Sequence, residues 1–165
     1  MSPRAKRLVI VLAATLATPV IMFKWMSLTG KPPERPETVA ALPGCPAAPN
    51  CVVSQNADAA HAVAPLKLAG DPAVEWPALR EVLQQLGGRL IRGDERYLHF
   101  EFRSRIFGFV DDVECLLNEA AGQVEIRSAS RVGYSDLGVN RRRVEAIRTA
   151  LTQRRTSAAA TEEAR

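Results

Sequence analysis

The densest group of chemically capable side chains lies in one segment near the C-terminal end of the chain. Residues 127–141 read RSASRVGYSDLGVNR and combine hydroxyl, guanidinium, carboxylate and amide groups with two glycines. Guanidinium and hydroxyl groups beside the free N–H groups of a helix start can hold a carboxylate or a phosphate. The candidate binding residues of this segment are Arg127, Ser128, Ser130, Arg131, Asp136, Asn140 and Arg141.

Two structural roles compete with ligand binding in this segment. Asp136 or Asn140 can cap the helix that follows. By strand alternation Asp111, Ser128 and Ser130 fall on the apolar side of their strands, where buried polar groups need hydrogen-bond partners. We favour the interpretation that these residues form a closed, buried network with the loop.

Acidic residues form the second candidate set. Asp111 and Asp112 are further candidate binding residues, but neighbours on a strand point to opposite faces and cannot line one site without a bulge. The enzymatic alternative is a metal-assisted or acid–base hydrolase. Its candidate groups are Asp111, Asp112, Glu114 and Asp136, with His61 or His99 assisting. The chain contains no HExxH, GxSxG or phosphate-loop motif, so the sequence favours a non-catalytic binding or scaffold domain without metal or cofactor.

The cysteines indicate a covalent link at the start of the domain. Cys45 and Cys51 are separated by five residues that include two prolines. In an oxidising compartment this spacing favours a short-loop disulfide. Metal binding by these cysteines is the less favoured interpretation. Cys115 is left unpaired.

The spacing of apolar residues predicts the helices and strands that position these groups. Apolar residues recur at helical spacing from Trp76 to Leu86, and Gly87-Gly88 ends that helix. Four strands are predicted over residues 89–93, 96–104, 110–118 and 123–131, and short connections make them antiparallel neighbours. A last helix is predicted over about residues 140–155.

Alternation divides the sheet into two faces. The apolar face contains Leu98, Phe100, Phe102, Val113, Cys115, Leu117, Val124 and Ile126. The polar face contains Tyr97, His99, Glu101, Arg103, Asp112, Glu114, Glu125, Arg127 and Arg131, which we expect to be solvated and paired across strands. The predicted fold class is α+β: an antiparallel four-stranded meander with two helices packed on one face, preceded by an N-terminal transmembrane or signal helix.

The N-terminal region is apolar and flanked by charge. Three basic residues precede an uncharged run over residues 8–23, which is closed by Lys24 and Trp25. This pattern is typical of a membrane anchor or a cleaved signal peptide. The predicted organisation is an anchor or signal over 1–28, a Pro-rich linker over 29–44, one α+β domain over 45–155 and a polar disordered tail over 156–165.

Charge and location limit the partners. The net charge is +4, but residues 41–165 hold sixteen basic and sixteen acidic residues, which argues against nucleic acid. The expected partners are a membrane, through the N-terminal helix, and an anionic envelope ligand. The expected location is the bacterial inner membrane with the domain in the periplasm, or secretion to the periplasm after signal cleavage.

Three stretches together resemble the uncharacterised family known as domain of unknown function 1499. They are Cys45-Pro46-x-x-Pro49-Asn50-Cys51-Val52, Phe109-Val110-Asp111-Asp112-Val113-Glu114 and residues 127–141. The likeness covers about residues 45–151, and Val53 departs from the serine usual in the family. The resemblance implies no established activity.

Overall fold

The computed structural model describes residues 1–33, 41–105 and 107–163. The helices are α1 (Pro3–Thr29), α2 (Pro72–Gln85) and α3 (Val139–Glu163). The strands are β1 (Cys51–Val53), β2 (Leu66–Lys67), β3 (Arg89–Gly93), β4 (Tyr97–Arg103), β5 (Val110–Asn118) and β6 (Gln123–Ser130). Residues 34–40 of the predicted linker lie outside the described residues.

The sheet is antiparallel and has six strands, in the order β1-β6-β5-β4-β3, with β2 also paired to β6. The predicted meander is present as β3 to β6, but the predicted total of four strands is wrong. The two added strands lie at opposite ends of β6, where Val52 pairs with Ser128 and Leu66 with Val124. β1 has three residues and β2 has two, which is too few to show an alternating pattern in the sequence. Both are strands because they pair with the edge of β6 that β5 leaves open.

Helices α2 and α3 cover the apolar face of the sheet. Asp71 caps α2 by accepting a hydrogen bond from the Ala73 amide, and Pro72 fits the first turn. The buried core joins the apolar strand residues to Trp76, Leu79, Val82 and Leu83 of α2 and to Val144, Ile147 and Leu151 of α3. The predicted helical spacing therefore marks the residues that form the core.

Helix α3 is longer than the sequence pattern predicts. It continues to Glu163, so residues 156–163, which we predicted as a disordered tail, are helical. The segment after Arg155 contains neither glycine nor proline and is rich in alanine, the strongest helix former. Arg155 also binds the Glu75 carboxylate and the Lys67 carbonyl oxygen, which ties this part of α3 to α2 and β2.

The polar face of the sheet is buried, which contradicts the predicted solvated surface. Glu101, Asp112, Glu114 and Glu125 are all buried. Part of the cover comes from the segment before β1, where Leu42 packs in a small apolar cluster with strand residues. The predicted disulfide between Cys45 and Cys51 is confirmed and closes this segment.

The N-terminal segment forms the single helix α1, with Pro19 inside it. Within the described ranges, no helix combines the length and the apolar character that a membrane crossing requires.

Candidate functional site

Five polar side chains meet where α3 begins and β5 and β6 lie side by side. This inner network consists of Asp111, Ser128, Ser130, Asn140 and Arg143. The Ser128 hydroxyl donates to Asn140 Oδ1 at 2.5 Å, and Arg143 Nη1 donates to the same oxygen at 2.6 Å. Arg143 Nη2 donates to Asp111 Oδ2 at 2.6 Å. Asp111, Ser128, Asn140 and Arg143 are therefore held by one another.

Asn50 extends the inner network to the start of β1. Its carbonyl oxygen accepts from Asn140 Nδ2 at 3.0 Å and from the Ser130 amide at 2.9 Å. Its side-chain Nδ2 donates to the Gly133 carbonyl oxygen at 2.6 Å. Asn140 Nδ2 also donates to Ser130 Oγ at 3.1 Å. One asparagine next to the disulfide thus fixes both the end of β6 and the loop after it.

Sequence reasoning did not single out Asn50 or Arg143. Arg143 lies three residues after Asn140, so the two share one face of α3, and this spacing was the available signal. Asn50 is 90 residues from Asn140. The only sign of its role was its place in the Pro49-Asn50-Cys51 stretch that resembles the family.

Asp136 and Arg141 have structural roles. Asp136 accepts hydrogen bonds from the Gly138 amide at 2.8 Å and the Asn140 amide at 2.7 Å, so Asp136 caps α3 and Asn140 points inward. Arg141 donates to the carbonyl oxygens of Ala60 and Ala62 at 2.8 and 2.7 Å. Arg141 therefore anchors α3 to the segment between β1 and β2 and stays outside the inner network.

Arg131 lies on the opposite face of the sheet, among buried carboxylates. Its Nε and Nη2 donate to the two oxygens of Asp112, both at 2.7 Å, and Nη2 also donates to Glu101 Oε1 at 2.5 Å. His99 Nε2 lies 2.6 Å from Asp112 Oδ1. Such paired, charge-assisted bonds leave the guanidinium little capacity for an external anion.

These contacts set the charge state of the Asp112 and Glu101 carboxyl groups. Burial raises the pKa of Asp112, but the hydrogen bonds from Arg131 and His99 outweigh it, so the pKa lies below the ordinary 3.8. Burial likewise raises the pKa of Glu101, and hydrogen bonds from Arg89 and Arg131 bring the pKa below 4.5. The bond to Asp112 raises the pKa of Arg131. All three groups are therefore charged at neutral pH.

Two further carboxylates of the polar face, Glu114 and Glu125, also accept hydrogen bonds from side chains. Glu114 accepts from the Tyr97 hydroxyl at 2.7 Å and from Arg127 Nη1 at 2.8 Å. Glu125 accepts from the Ser54 hydroxyl at 2.5 Å. Arg127 and Arg131, which we grouped with the serines as binding residues, thus lie on the other side of the sheet from Ser128 and Ser130.

The acidic residues of the hydrolase alternative do not converge. Asp111 faces the inner network, whereas Asp112 and Glu114 face the buried carboxylates of the other side. His61 pairs with Asp58 at 2.9 Å. Among the described residues, no group of three or more His, Cys, Asp or Glu side chains is placed to hold a metal ion.

A pocket of about 350 Å³ opens beside the inner network, and we call it the end pocket. It is lined by Ser104, Phe107, Phe109, Asp111, Ser130, Val132, Gly133, Tyr134, Ser135, Asp136 and Val139. Asp111 contributes a carboxylate whose Oδ2 is held by Arg143. Its Oδ1 accepts no hydrogen bond from any residue that the structure describes.

The apolar walls of the end pocket were not predicted from the sequence. Phe107 and Phe109 lie in the turn between β4 and β5, with ring centroids 5.7 Å apart. Val132 and Tyr134 lie in the loop after β6, which Asn50 holds through Gly133. The pocket therefore depends on the turn between β4 and β5 and on apolar residues within the candidate segment 127–141, where the sequence indicated only polar candidate groups.

The fold and the site together define an α+β protein with a buried polar sheet face and an apolar pocket at the start of α3. The chain belongs to the family described as Protein of unknown function (DUF1499), which matches residues 41–151. This match confirms the resemblance seen in the sequence. No curated protein and no solved structure matches the chain significantly.

Proposed function

We propose that the protein is a non-catalytic binding domain whose end pocket holds an amphipathic ligand with an apolar body and a cationic or hydroxyl head. One observation carries this proposal: Asp111 lines a pocket walled by Phe107, Phe109 and Val132, and its Oδ1 accepts no hydrogen bond from a described residue. Ligand sites commonly combine apolar walls with a few polar groups that fix the orientation of the ligand.

The charge of the lining favours a cationic head over an anionic one. The described lining includes Asp111 and Asp136 and contains neither lysine nor arginine. Arg131 and Arg143 are each held by buried carboxylates. The anionic envelope ligand expected from the sequence stays a prediction, and this geometry supports it less than a cation.

The same proposal places the domain in the bacterial cell envelope. The disulfide between Cys45 and Cys51 supports an oxidising compartment such as the periplasm. Consecutive residues from Leu8 to Leu12 are exposed on α1, so apolar side chains cover every side of this stretch. Such a helix is typical of a segment that associates with a membrane. We propose that α1 holds the domain at the inner membrane, or acts as a signal that is cleaved.

Binding of a matched pair of probes tests the proposed ligand class. In the full chain held in lipid nanodiscs, 4-phenylbutylamine is expected to bind about tenfold more tightly than 4-phenylbutyrate, because a charged hydrogen bond to Asp111 contributes about 1.5 kcal/mol. Isothermal titration calorimetry measures both affinities. Val132→Trp fills the end pocket and is expected to abolish amine binding.

Val74→Trp is the matched control, since Val74 is exposed on α2 and does not line the end pocket. The control is expected to bind the amine like the wild-type chain. Equal affinity for both probes, or amine binding that survives Val132→Trp, would contradict the proposal.

A further inference from the structure

We propose that the rim of the end pocket docks on the surface of the bilayer at which α1 is held, so that the pocket takes its ligand from the membrane. This inference rests on the proposed function and names the source of the ligand. The rim consists of Phe107, Tyr134, Leu137 and Val139.

The rim exposes large apolar side chains to solvent. Tyr134 is 77% exposed and Leu137 is 84% exposed, and Phe107 and Val139 are also exposed. Leu137 has a φ of 54°, a left-handed conformation that is costly for a bulky residue. The Ser135 hydroxyl accepts from the Leu137 amide at 3.2 Å, and Arg142 donates to its carbonyl oxygen at 2.9 Å. The loop therefore holds the Leu137 side chain in solvent through an energetically unfavourable backbone conformation. Such an arrangement indicates that a partner covers the side chain.

Helix α1 ends beside the same loop. A Cβ added at Gly30, the residue after α1, would lie 2.8 Å from Arg131 Cβ and 3.3 Å from Val132 Cγ1. Val132 lines the end pocket. The exposed Trp25, a residue type that favours the membrane interface, lies five residues before Gly30, about 8 Å along a helix axis. An α1 held in a bilayer would therefore bring the rim to the bilayer surface.

Basic side chains accompany the rim. Lys31 follows Gly30, Arg105 precedes Phe107 by two residues, and Arg142 bonds Leu137; all three are exposed. Cations next to exposed apolar residues are typical of surfaces that bind anionic lipids. This combination, together with the position of α1, favours a bilayer over a protein partner.

Lipid quenching of a label on the rim tests the proposal. The full chain carrying Leu137→Cys is labelled with nitrobenzoxadiazole and reconstituted into vesicles of phosphatidylcholine and phosphatidylglycerol with brominated acyl chains. Cys115 is buried and Cys45 is bonded to Cys51, so the introduced thiol takes the label. We expect the brominated lipid to quench most of the emission.

Val74→Cys with the same label is the control. Val74 is 69% exposed and lies on α2. The first turn of α2 lies near Leu117, six residues along β5 from Asp111, or about 20 Å at strand spacing. Little quenching is expected there. Failure of the chain to associate with the vesicles, or equal quenching at both positions, would overturn the proposal.

Two further readouts separate the possible failures. Self-quenching between labelled chains without lipid would assign the rim to a second copy of the chain and overturn docking on the bilayer. Binding of 4-phenylbutylamine is measured on the same samples. Amine binding without lipid quenching would leave the proposed function intact and remove the docking inference, whereas quenching without amine binding would remove the proposed ligand class.

Discussion

Arg143→Met lowers the free energy of unfolding by about 3–5 kcal/mol, the cost of removing one partner from a buried ion pair. Arg143 binds Asp111 at 2.6 Å, and both side chains are nearly buried. Its guanidinium carbon also lies 4.9 Å from the centre of the Phe102 ring. Without Arg143, the Asp111 carboxylate loses its ion-pair partner and Asn140 Oδ1 loses a donor. Chemical denaturation of the full chain measures the change.

Arg154→Met is the matched control for this prediction. Arg154 pairs with Glu81 at 2.6 Å, but both side chains are about half exposed. Removal of an exposed pair is expected to change the free energy of unfolding by no more than about 1 kcal/mol. Similar effects of the two variants would show that Asp111 does not depend on Arg143.

Arg131→Met is expected to cost about 3–5 kcal/mol as well, because it leaves two buried carboxylates without their shared cation. Arg131 contacts both Asp112 and Glu101. Arg103→Met provides the control on the same carboxylate, since Arg103 is half exposed and lies 3.3 Å from Glu101. The control variant is expected to lose about 1 kcal/mol or less.

The effect of Arg131→Met depends on pH in a defined direction. In the wild-type chain the pKa values of Asp112 and Glu101 lie below 3.8 and 4.5, so their contribution to stability is present above those values and is lost as pH falls through the lower folded values. Without Arg131, burial is expected to raise both pKa values. The difference in stability between the two chains should then be largest at neutral pH and shrink as the carboxyl groups of the variant protonate. A difference that stays constant from neutral to acidic pH would contradict this account.

The sequence predicted the strands and the helix whose hydrophobic patterns extend over enough residues to show a period. Strands β3 to β6 and helix α2 have alternating or helical spacing, and the disulfide followed from the Cys45–Cys51 spacing. Strands β1 and β2 were missed because they are short and exist through pairing with β6. The burial of the polar face was missed for a different reason. Alternation shows that a face is polar, but it does not show which distant segment covers it.

The inner network was predicted in part for similar reasons. Strand alternation placed Ser128, Ser130 and Asp111 on one side of the sheet, and the structure brings them together with Asn140. The same alternation places Arg127 and Arg131 on the other face, so closeness in sequence was the wrong reason to group them with the serines. Asn50 could not be found from local spacing, because its contacts with the network join segments far apart in the chain.

The internal pairing of the arginines also explains the balanced charge of the domain. Arg127, Arg131 and Arg143 each bind a buried carboxylate, so basic residues that suggest an anion site in the sequence serve the fold. The proposed ligand chemistry then rests on Asp111, whose Oδ1 accepts no hydrogen bond from a described residue, at a pocket whose walls come from two neighbouring loops.

A crystal structure of the full chain with 4-phenylbutylamine tests the role of Asp111 most directly. The account predicts the ammonium nitrogen within about 3 Å of Asp111 Oδ1, with the phenyl ring against Phe107, Phe109 and Val132. An amine bound elsewhere with the end pocket empty, or bound there with its nitrogen pointing away from Asp111, would contradict it.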